Sequence, residues 1–357
     1  MKGIWCVVFY IVVIRRPIVT RQTDSNVILE VKNLKKYFPI EKGFFRRAVG
    51  QVRAVDDVSL FIKEGETLGL VGESGSGKTT LGRCILRVIE PTKGEVYFNY
   101  DGKLLNLAKL DSREMHMARR HLQMIFQDPC SSLDPRMIAS DIIAEPLYCN
   151  RLLKGGKLRE RVRELVSLVG LEKSQLRRYP HAFSGGQRQR IGIARALATS
   201  PKLIVADEPV SALDVSIQAQ ILNLLQDLQK QFHLTYLFIA HDLSVIEHIS
   251  DRVAVMYVGK IIELAETEEL YIRPKHPYTE ALLSAVPQLD PDSTKKRIIL
   301  PGEVANPADP PSGCYFHPRC NYAQDICSVD TPGLREIKPE HWAACHFAEK
   351  LKLKGVD

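Results

Sequence analysis

Gly72-Glu73-Ser74-Gly75-Ser76-Gly77-Lys78-Thr79, followed by Thr80, fits the pattern G-x-x-x-x-G-K-[ST]. In such a loop, glycines let backbone amides close around phosphate oxygens without a clashing side chain. Context separates this reading from a glycine turn with an incidental lysine. Thr67-Leu68-Gly69-Leu70-Val71, directly before it, reads as a short buried strand. After it, Leu81, Cys84, Ile85, Val88 and Ile89 recur at helical spacing, and Pro91 ends the pattern. A strand, a glycine loop and a helix in that order aim the positive end of the helix at a bound anion. Lys78 is therefore expected on the β- and γ-phosphates of a nucleoside triphosphate, and the Thr79 hydroxyl on Mg²⁺.

Outward from this loop, strand and helix signals alternate. Residues 27–31 and 58–62 read as strands. Leu158, Val162, Leu165, Val166 and Val169 make a helical stripe closed by Gly170. Residues 203–206 form a strand, Ile217, Ile221, Leu224, Leu225 and Leu228 a helix face, and residues 235–240 another strand. Residues 252–264 read as a hairpin turning at Gly259-Lys260. Alternation of this kind predicts an α/β fold with a parallel sheet covered by helices. Asp207 and Glu208 stand at the tip of the strand 203–206, where open parallel sheets bind ligands. Asp207 is expected to hold Mg²⁺ through water and Glu208 to act as general base on an attacking water. The bland alternative is a pair of surface acids.

The chain has 357 residues, enough for one large domain with an appendage. A hydrophobic share of 45% and a charged share of 25% are ordinary for a globular protein, and the formal charge of +7 reads as a solvated surface excess. No apolar run reaches the roughly 20 residues of a spanning helix. The longest, from Ile4 to Ile14, precedes Arg15, Arg16 and Pro17 and lacks a small-residue cleavage site. It reads as an interfacial anchor, a disordered extension, or residues translated from an upstream start, with the working protein expected from about Asn26. Beyond Thr267 proline becomes frequent and periodicity fades, which sets a boundary near residue 268. The expected domains are residues 1–26, 27–267 and 268–357, with the glycine loop and the tail in different ones.

A second motif narrows the class. Phe183-Ser184-Gly185-Gly186-Gln187-Arg188-Gln189-Arg190, about a hundred residues after the glycine loop and just before Asp207-Glu208, resembles the signature of the ATP-binding cassette (ABC) ATPases. Residues 27–265 look like a complete ABC nucleotide-binding domain, which implies a RecA-like core and a helical subdomain over about 128–190. Gln127 matches the family's glutamine loop, which touches Mg²⁺ and senses the transmembrane partner. Ser211-Ala212-Leu213-Asp214 matches the D-loop, and His241 the switch histidine at the γ-phosphate. Phe38 aligns with the stacking aromatic for adenine, with adjacent Tyr37 as the alternative. The resemblance implies two cassettes facing head to tail, so that Ser184, Gly185, Gly186 and Gln187 close over the partner's ATP. Phe183 departs from the usual leucine, a position whose role is packing.

Cys130-Ser131-Ser132-Leu133-Asp134-Pro135-Arg136, His276-Pro277-Tyr278-Thr279-Glu280-Ala281-Leu282-Leu283 and the stretch 301–346 are similar to the ATPase subunits of oligopeptide and dipeptide importers. The resemblance implies a peripheral subunit on the cytoplasmic face of the membrane. Its partners would be a second cassette (a paralogue), two permease subunits and an extracytoplasmic binding protein, with no nucleic acid. Importers of nickel chelates or oligosaccharides carry related tails. Rival classes are a soluble ABC ATPase acting on nucleic acid or ribosomes, and an iron- or redox-sensing regulator. The former usually has two fused cassettes or coiled-coil insertions, and neither is present here.

Of eight cysteines, Cys6, Cys84, Cys130 and Cys149 are scattered, whereas Cys314, Cys320, Cys327 and Cys345 fall at x5, x6 and x17 spacing. An ATP site implies a reducing compartment, which favours metal over disulfides. The spacing lacks the x2 pair common in zinc sites. Four thiolates can hold a [4Fe–4S] cluster, and the resemblance implies one. Zinc and unliganded thiols remain the alternatives, with His317 and His346 as possible substitutes for a cysteine.

Overall fold

The computed structural model describes residues 26–42, 47–286 and 297–356. The apolar run before Arg15 lies outside these described residues. Two sheets carry the fold. β1 (Val27–Lys42), β2 (Arg47–Lys63), β4 (Lys93–Tyr100) and β5 (Lys103–Asn106) form an antiparallel sheet in the order β2-β1-β4-β5. The second sheet contains β3 (Thr67–Val71), β6 (Leu122–Ile125), β7 (Leu203–Asp207), β8 (Thr235–Ile239), β9 (Arg252–Tyr257), β10 (Lys260–Glu266), β11 (Arg335–Lys338) and β12 (His341–Ala343). Its order is β11-β12-β10-β9-β3-β8-β7-β6.

β9, β3, β8, β7 and β6 run parallel, whereas β10, β12 and β11 add antiparallel edges. β3, β7 and β8 are buried along their whole length. That explains why they read as unbroken apolar runs rather than alternating strands.

The helices Ala139–Cys149, Gly155–Leu168 and Gly185–Leu197 lie between β6 and β7 in sequence. They share one apolar core, through Ile142, Ile143, Leu165, Val166 and Ile191. Phe183 is buried in the same core, which gives it the packing role expected of the residue before the Ser-Gly-Gly-Gln run. Gly170 stops the second helix at φ 70°, a left-handed position that glycine adopts without a Cβ penalty.

Two details depart from the sequence reading. The helix after the glycine loop runs Lys78–Ile85 and stops short of Pro91. Arg87 takes φ 50°, and its guanidinium donates to the carbonyls of Leu107 and Leu110. Val88 consequently faces solvent, and only Leu81, Cys84 and Ile85 of the five-residue stripe are fully buried. The hairpin turns at Val258-Gly259, one residue earlier than expected, with both at positive φ and Tyr257 paired to Lys260.

Beyond residue 268 the chain does not leave the core. β12 pairs with β10 through Glu263↔Ala343 and Leu264↔Trp342, and the Trp342 ring meets Phe61 edge-on at 6.0 Å. The change in composition there is a change from regular helices to loops, not a break in the sheet. Among the described residues no helix is long and apolar enough to cross a membrane.

Candidate nucleotide-binding site

β3, β8, β7 and β6 are neighbours in the sheet and parallel, so their C-terminal ends open on one edge. β3 runs into Gly72, β7 into Glu208, β6 towards Gln127 and β8 towards His241. Four motifs far apart in sequence therefore meet at the edge where parallel sheets bind ligands.

Backbone packing shapes the glycine loop. Gly77 has φ 105°, and a Cβ there would lie 2.0 Å from the Ala54 carbonyl oxygen, so no other residue fits. The β9–β10 turn braces the loop: the Gly259 amide donates to the Ser76 carbonyl at 2.8 Å. Ser74 and Gly75 form its exposed crest, and Thr80 is half-buried on the helix that follows. Lys78 is buried and donates through Nζ to the carbonyls of Gly72 at 2.6 Å and Glu73 at 3.0 Å. Burial lowers its pKa, against the opposing pull of Glu208, Asp207 and Glu73.

The Thr79 hydroxyl donates to Asp207 Oδ1 at 2.8 Å. Burial raises the Asp207 pKa, which the Thr79 hydrogen bond and Arg83 offset in part. A buried carboxylate beside a hydroxyl in this state gains from a cation, so the donor set suits Mg²⁺, with hard oxygens and room for water ligands. Glu208 takes φ 46°, and its amide donates to the Ile239 carbonyl at 2.9 Å, which fixes the turn after β7. Its carboxylate accepts from Gln127 Nε2 at 2.8 Å and lies 3.3 Å from His241 Nδ1. The Ser211 hydroxyl donates to the Glu208 carbonyl at 3.1 Å, tying the following loop to the same turn.

Ser184 caps the helix Gly185–Leu197. Its hydroxyl accepts from the Gln187 amide at 3.3 Å, and its own amide donates to Gln187 Oε1 at 3.0 Å. A Cβ on Gly186 would lie 2.6 Å from Ile217, so this helix start packs closely on the helix Val215–Phe232. Ser184, Gly185 and Asp214 are exposed, and a Cβ on Gly185 would lie 3.3 Å from Leu213. The bonds of Ser184 stay within its own turn. The two aromatic candidates also separate. The Tyr37 hydroxyl is committed to Asp56 Oδ1, whereas Phe38 is half-buried with the Lys36 ammonium 4.9 Å from its ring centre.

Cys314, Cys320, Cys327 and Cys345 line one small cavity of about 20 Å³ together with Phe316 and Phe347. All four are free thiols. Burial raises the pKa of Cys314, pushes Cys320 up to about 12 and Cys345 to about 11. Among the described residues no three His, Cys, Asp or Glu side chains converge as ligands of one metal ion. A single tetrahedral zinc requires that convergence. Four thiolates are the donor set of an iron–sulfur cluster as well, but no metal-binding group is formed among the described residues. His317 and His346 each spend a ring nitrogen on a backbone carbonyl, of Cys314 and Asp330 respectively, both at 2.9 Å.

Sequence reasoning missed how the tail meets this site. Glu73 accepts two hydrogen bonds from Arg319, at 2.9 and 3.3 Å, and its amide donates to the Tyr278 hydroxyl at 2.9 Å. Tyr315 donates to Asp56 Oδ2 at 2.9 Å. The His276-Pro277-Tyr278 run was visible as a marker, but nothing local in it points to a loop two hundred residues away.

The ABC transporter family model matches residues 55–211, and the model for the oligopeptide/dipeptide transporter C-terminal region matches residues 262–327. The chain is 53% identical to the oligopeptide transport ATP-binding protein AppF of Bacillus subtilis (strain 168), over 91% of this chain and 98% of that protein. It is 52% identical to a putative peptide import ATP-binding protein of Brucella ovis, over 89% and 97%. Among solved structures it resembles the dimeric post-hydrolysis ATP-binding cassette MJ0796 bound to ADP and Pi. That match has a TM-score of 0.59 at 31% identity and covers 67% of this chain and 99% of that one.

Proposed function

The chain belongs to the ABC transporter ATPases, in the branch of oligopeptide and dipeptide importers, and from that premise we propose how its residues divide the work. It hydrolyses ATP to energise peptide import and works with membrane permease partners.

The observation that carries the assignment of roles is the meeting of Lys78, Asp207, Glu208, Gln127 and His241 at one sheet edge. Lys78 exchanges its loop carbonyls for β- and γ-phosphate oxygens, and the amides of the glycine loop bind the remaining phosphate oxygens. Thr79, Asp207 and Gln127 hold Mg²⁺, which when bound neutralises phosphate charge. Glu208 accepts a proton from the attacking water as its oxygen bonds to the γ-phosphorus and the bond to the β-phosphate oxygen breaks. His241 contacts the γ-phosphate, and Phe38 stacks on adenine.

Ser184, Gly185, Gly186 and Gln187, with Ser211 and Asp214, face the ATP of a second cassette, which we take to be a paralogue. The support is the exposure of Ser184, Gly185 and Asp214 and the position of Gly185 and Gly186 at a helix start, where backbone amides point outward. The remaining partners are two permease subunits and an extracytoplasmic binding protein, with this subunit on the cytoplasmic face. Cys314, Cys320, Cys327 and Cys345 hold a [4Fe–4S] cluster, supported by four free thiols lining one cavity. The test is ATP-driven uptake by the assembled transporter in vesicles. Labelled oligopeptide should accumulate; accumulation of nickel chelates or oligosaccharides without peptide would contradict the reading.

A further inference from the structure

The segment between the first two tail cysteines reaches both ends of the site. Cys314 and Cys320 bracket Tyr315 and Arg319. Tyr315 donates to Asp56, which also accepts from Tyr37, beside Phe38. Arg319, buried at its guanidinium end, makes a two-pronged ion pair with Glu73, the second residue of the glycine loop. Glu73 is thereby held at three points: its carboxylate by Arg319, its amide by the Tyr278 hydroxyl, and its carbonyl by Lys78.

A carboxylate in this position is unfavourable for a polyanion. Glu73 adjoins the loop that surrounds the phosphates and is close enough to act electrostatically on Lys78. Left unpaired, it would repel the triphosphate and compete for the Lys78 ammonium. Arg319 removes that charge and fixes the geometry of the loop in one contact, as a planar guanidinium does for a carboxylate.

We propose that Arg319 is a positioning residue for ATP, and that the Cys314–Cys320 loop couples the state of the cysteine cavity to nucleotide affinity through the Arg319–Glu73 pair. This deepens the ATPase reading and rests on it. Any ligand or modification that fixes Cys320 fixes its neighbour Arg319, and by linkage nucleotide binding changes the affinity of the cavity in return.

Equilibrium binding of ATP, ADP and adenosine to the full chain tests the proposal. Arg319→Ala should weaken ATP binding by about tenfold, the size of one charge-assisted hydrogen bond. ADP should lose less and adenosine nothing. Adding Glu73→Gln should restore ATP affinity, because the repelling charge is then gone. Cys320→Ser should weaken ATP binding in the native background but add nothing to Arg319→Ala. Three results would overturn the proposal: undiminished ATP affinity in Arg319→Ala, an equal loss for adenosine, or a Cys320→Ser effect of the same size in both backgrounds. A native chain that bound no nucleotide would instead remove the ATPase reading beneath it.

Discussion

Gln127 Nε2 donates to Glu208 Oε2 at 2.8 Å, joining the loop after β6 to the turn after β7. The same oxygen lies 3.3 Å from His241. The Glu208 amide is anchored on the Ile239 carbonyl, and its carboxylate is oriented by Gln127 and His241. Gln127→Ala should therefore lower kcat by roughly tenfold, the worth of one orienting hydrogen bond to a charged group. The Kd for ATP should change less. Steady-state phosphate release and equilibrium ATP binding, measured on the same preparation, check the split.

Lys78 and Ser184 should fail in different ways. Lys78→Ala removes a charge from the β- and γ-phosphates and should weaken ATP binding to the isolated subunit. Ser184→Arg leaves that pocket intact and should spare binding while blocking closure of the cassette pair. Nucleotide titration and ATP-dependent dimerisation by light scattering separate them. An equal loss of binding in both variants would remove the shared-site assignment.

His276 makes stability depend on pH. Its Nδ1 accepts from the Tyr278 amide at 3.0 Å, which requires a neutral ring, and full burial pushes its pKa down to about 3. The unfolded chain takes up this proton below its ordinary pKa of about 6.5. The contribution is therefore complete above that value and is lost as pH falls from there towards 3. The slope from this group is at most about 1.4 kcal/mol per pH unit. His276→Asn, which keeps a capping acceptor, should flatten the decline in denaturation midpoint between pH 6.5 and 5.

Anaerobically purified chain should be brown and carry roughly four irons per chain, as thiolate-held clusters do. Cys320→Ser should bleach it, because a hard alkoxide is a poor substitute for a soft thiolate. Iron and zinc analysis with visible absorbance reads the result; one stoichiometric zinc, or no metal at all, would contradict the cluster.

The fold was legible where burial leaves its mark on composition. β3, β7 and β8 are covered on both faces, so Thr67–Val71, Leu203–Asp207 and Thr235–Ile239 announce themselves as apolar runs. The loop from Gly72 to Thr79 was legible because only glycine fits at positions such as Gly77. The early end of the first helix was not, since it depends on Arg87 reaching the carbonyls of Leu107 and Leu110. Nor was the attachment of the tail. β12 is three residues long, and its pairing to β10 and the Arg319–Glu73 contact are long-range relations that no local period encodes. The distance between Cys314 and Cys345 in sequence likewise hides that both line one cavity.

The proposed base, Glu208, stands in a site assembled from the ends of four parallel strands. The direct measurement is phosphate release and peptide uptake by the assembled transporter carrying Glu208→Gln. That substitution removes the base but keeps size and hydrogen bonding. The variant should bind ATP with native affinity, hold the cassette pair closed, and turn over at this subunit's site at least about a hundredfold more slowly, with uptake lost. Near-native phosphate release and peptide uptake in that variant would contradict Glu208 as the base.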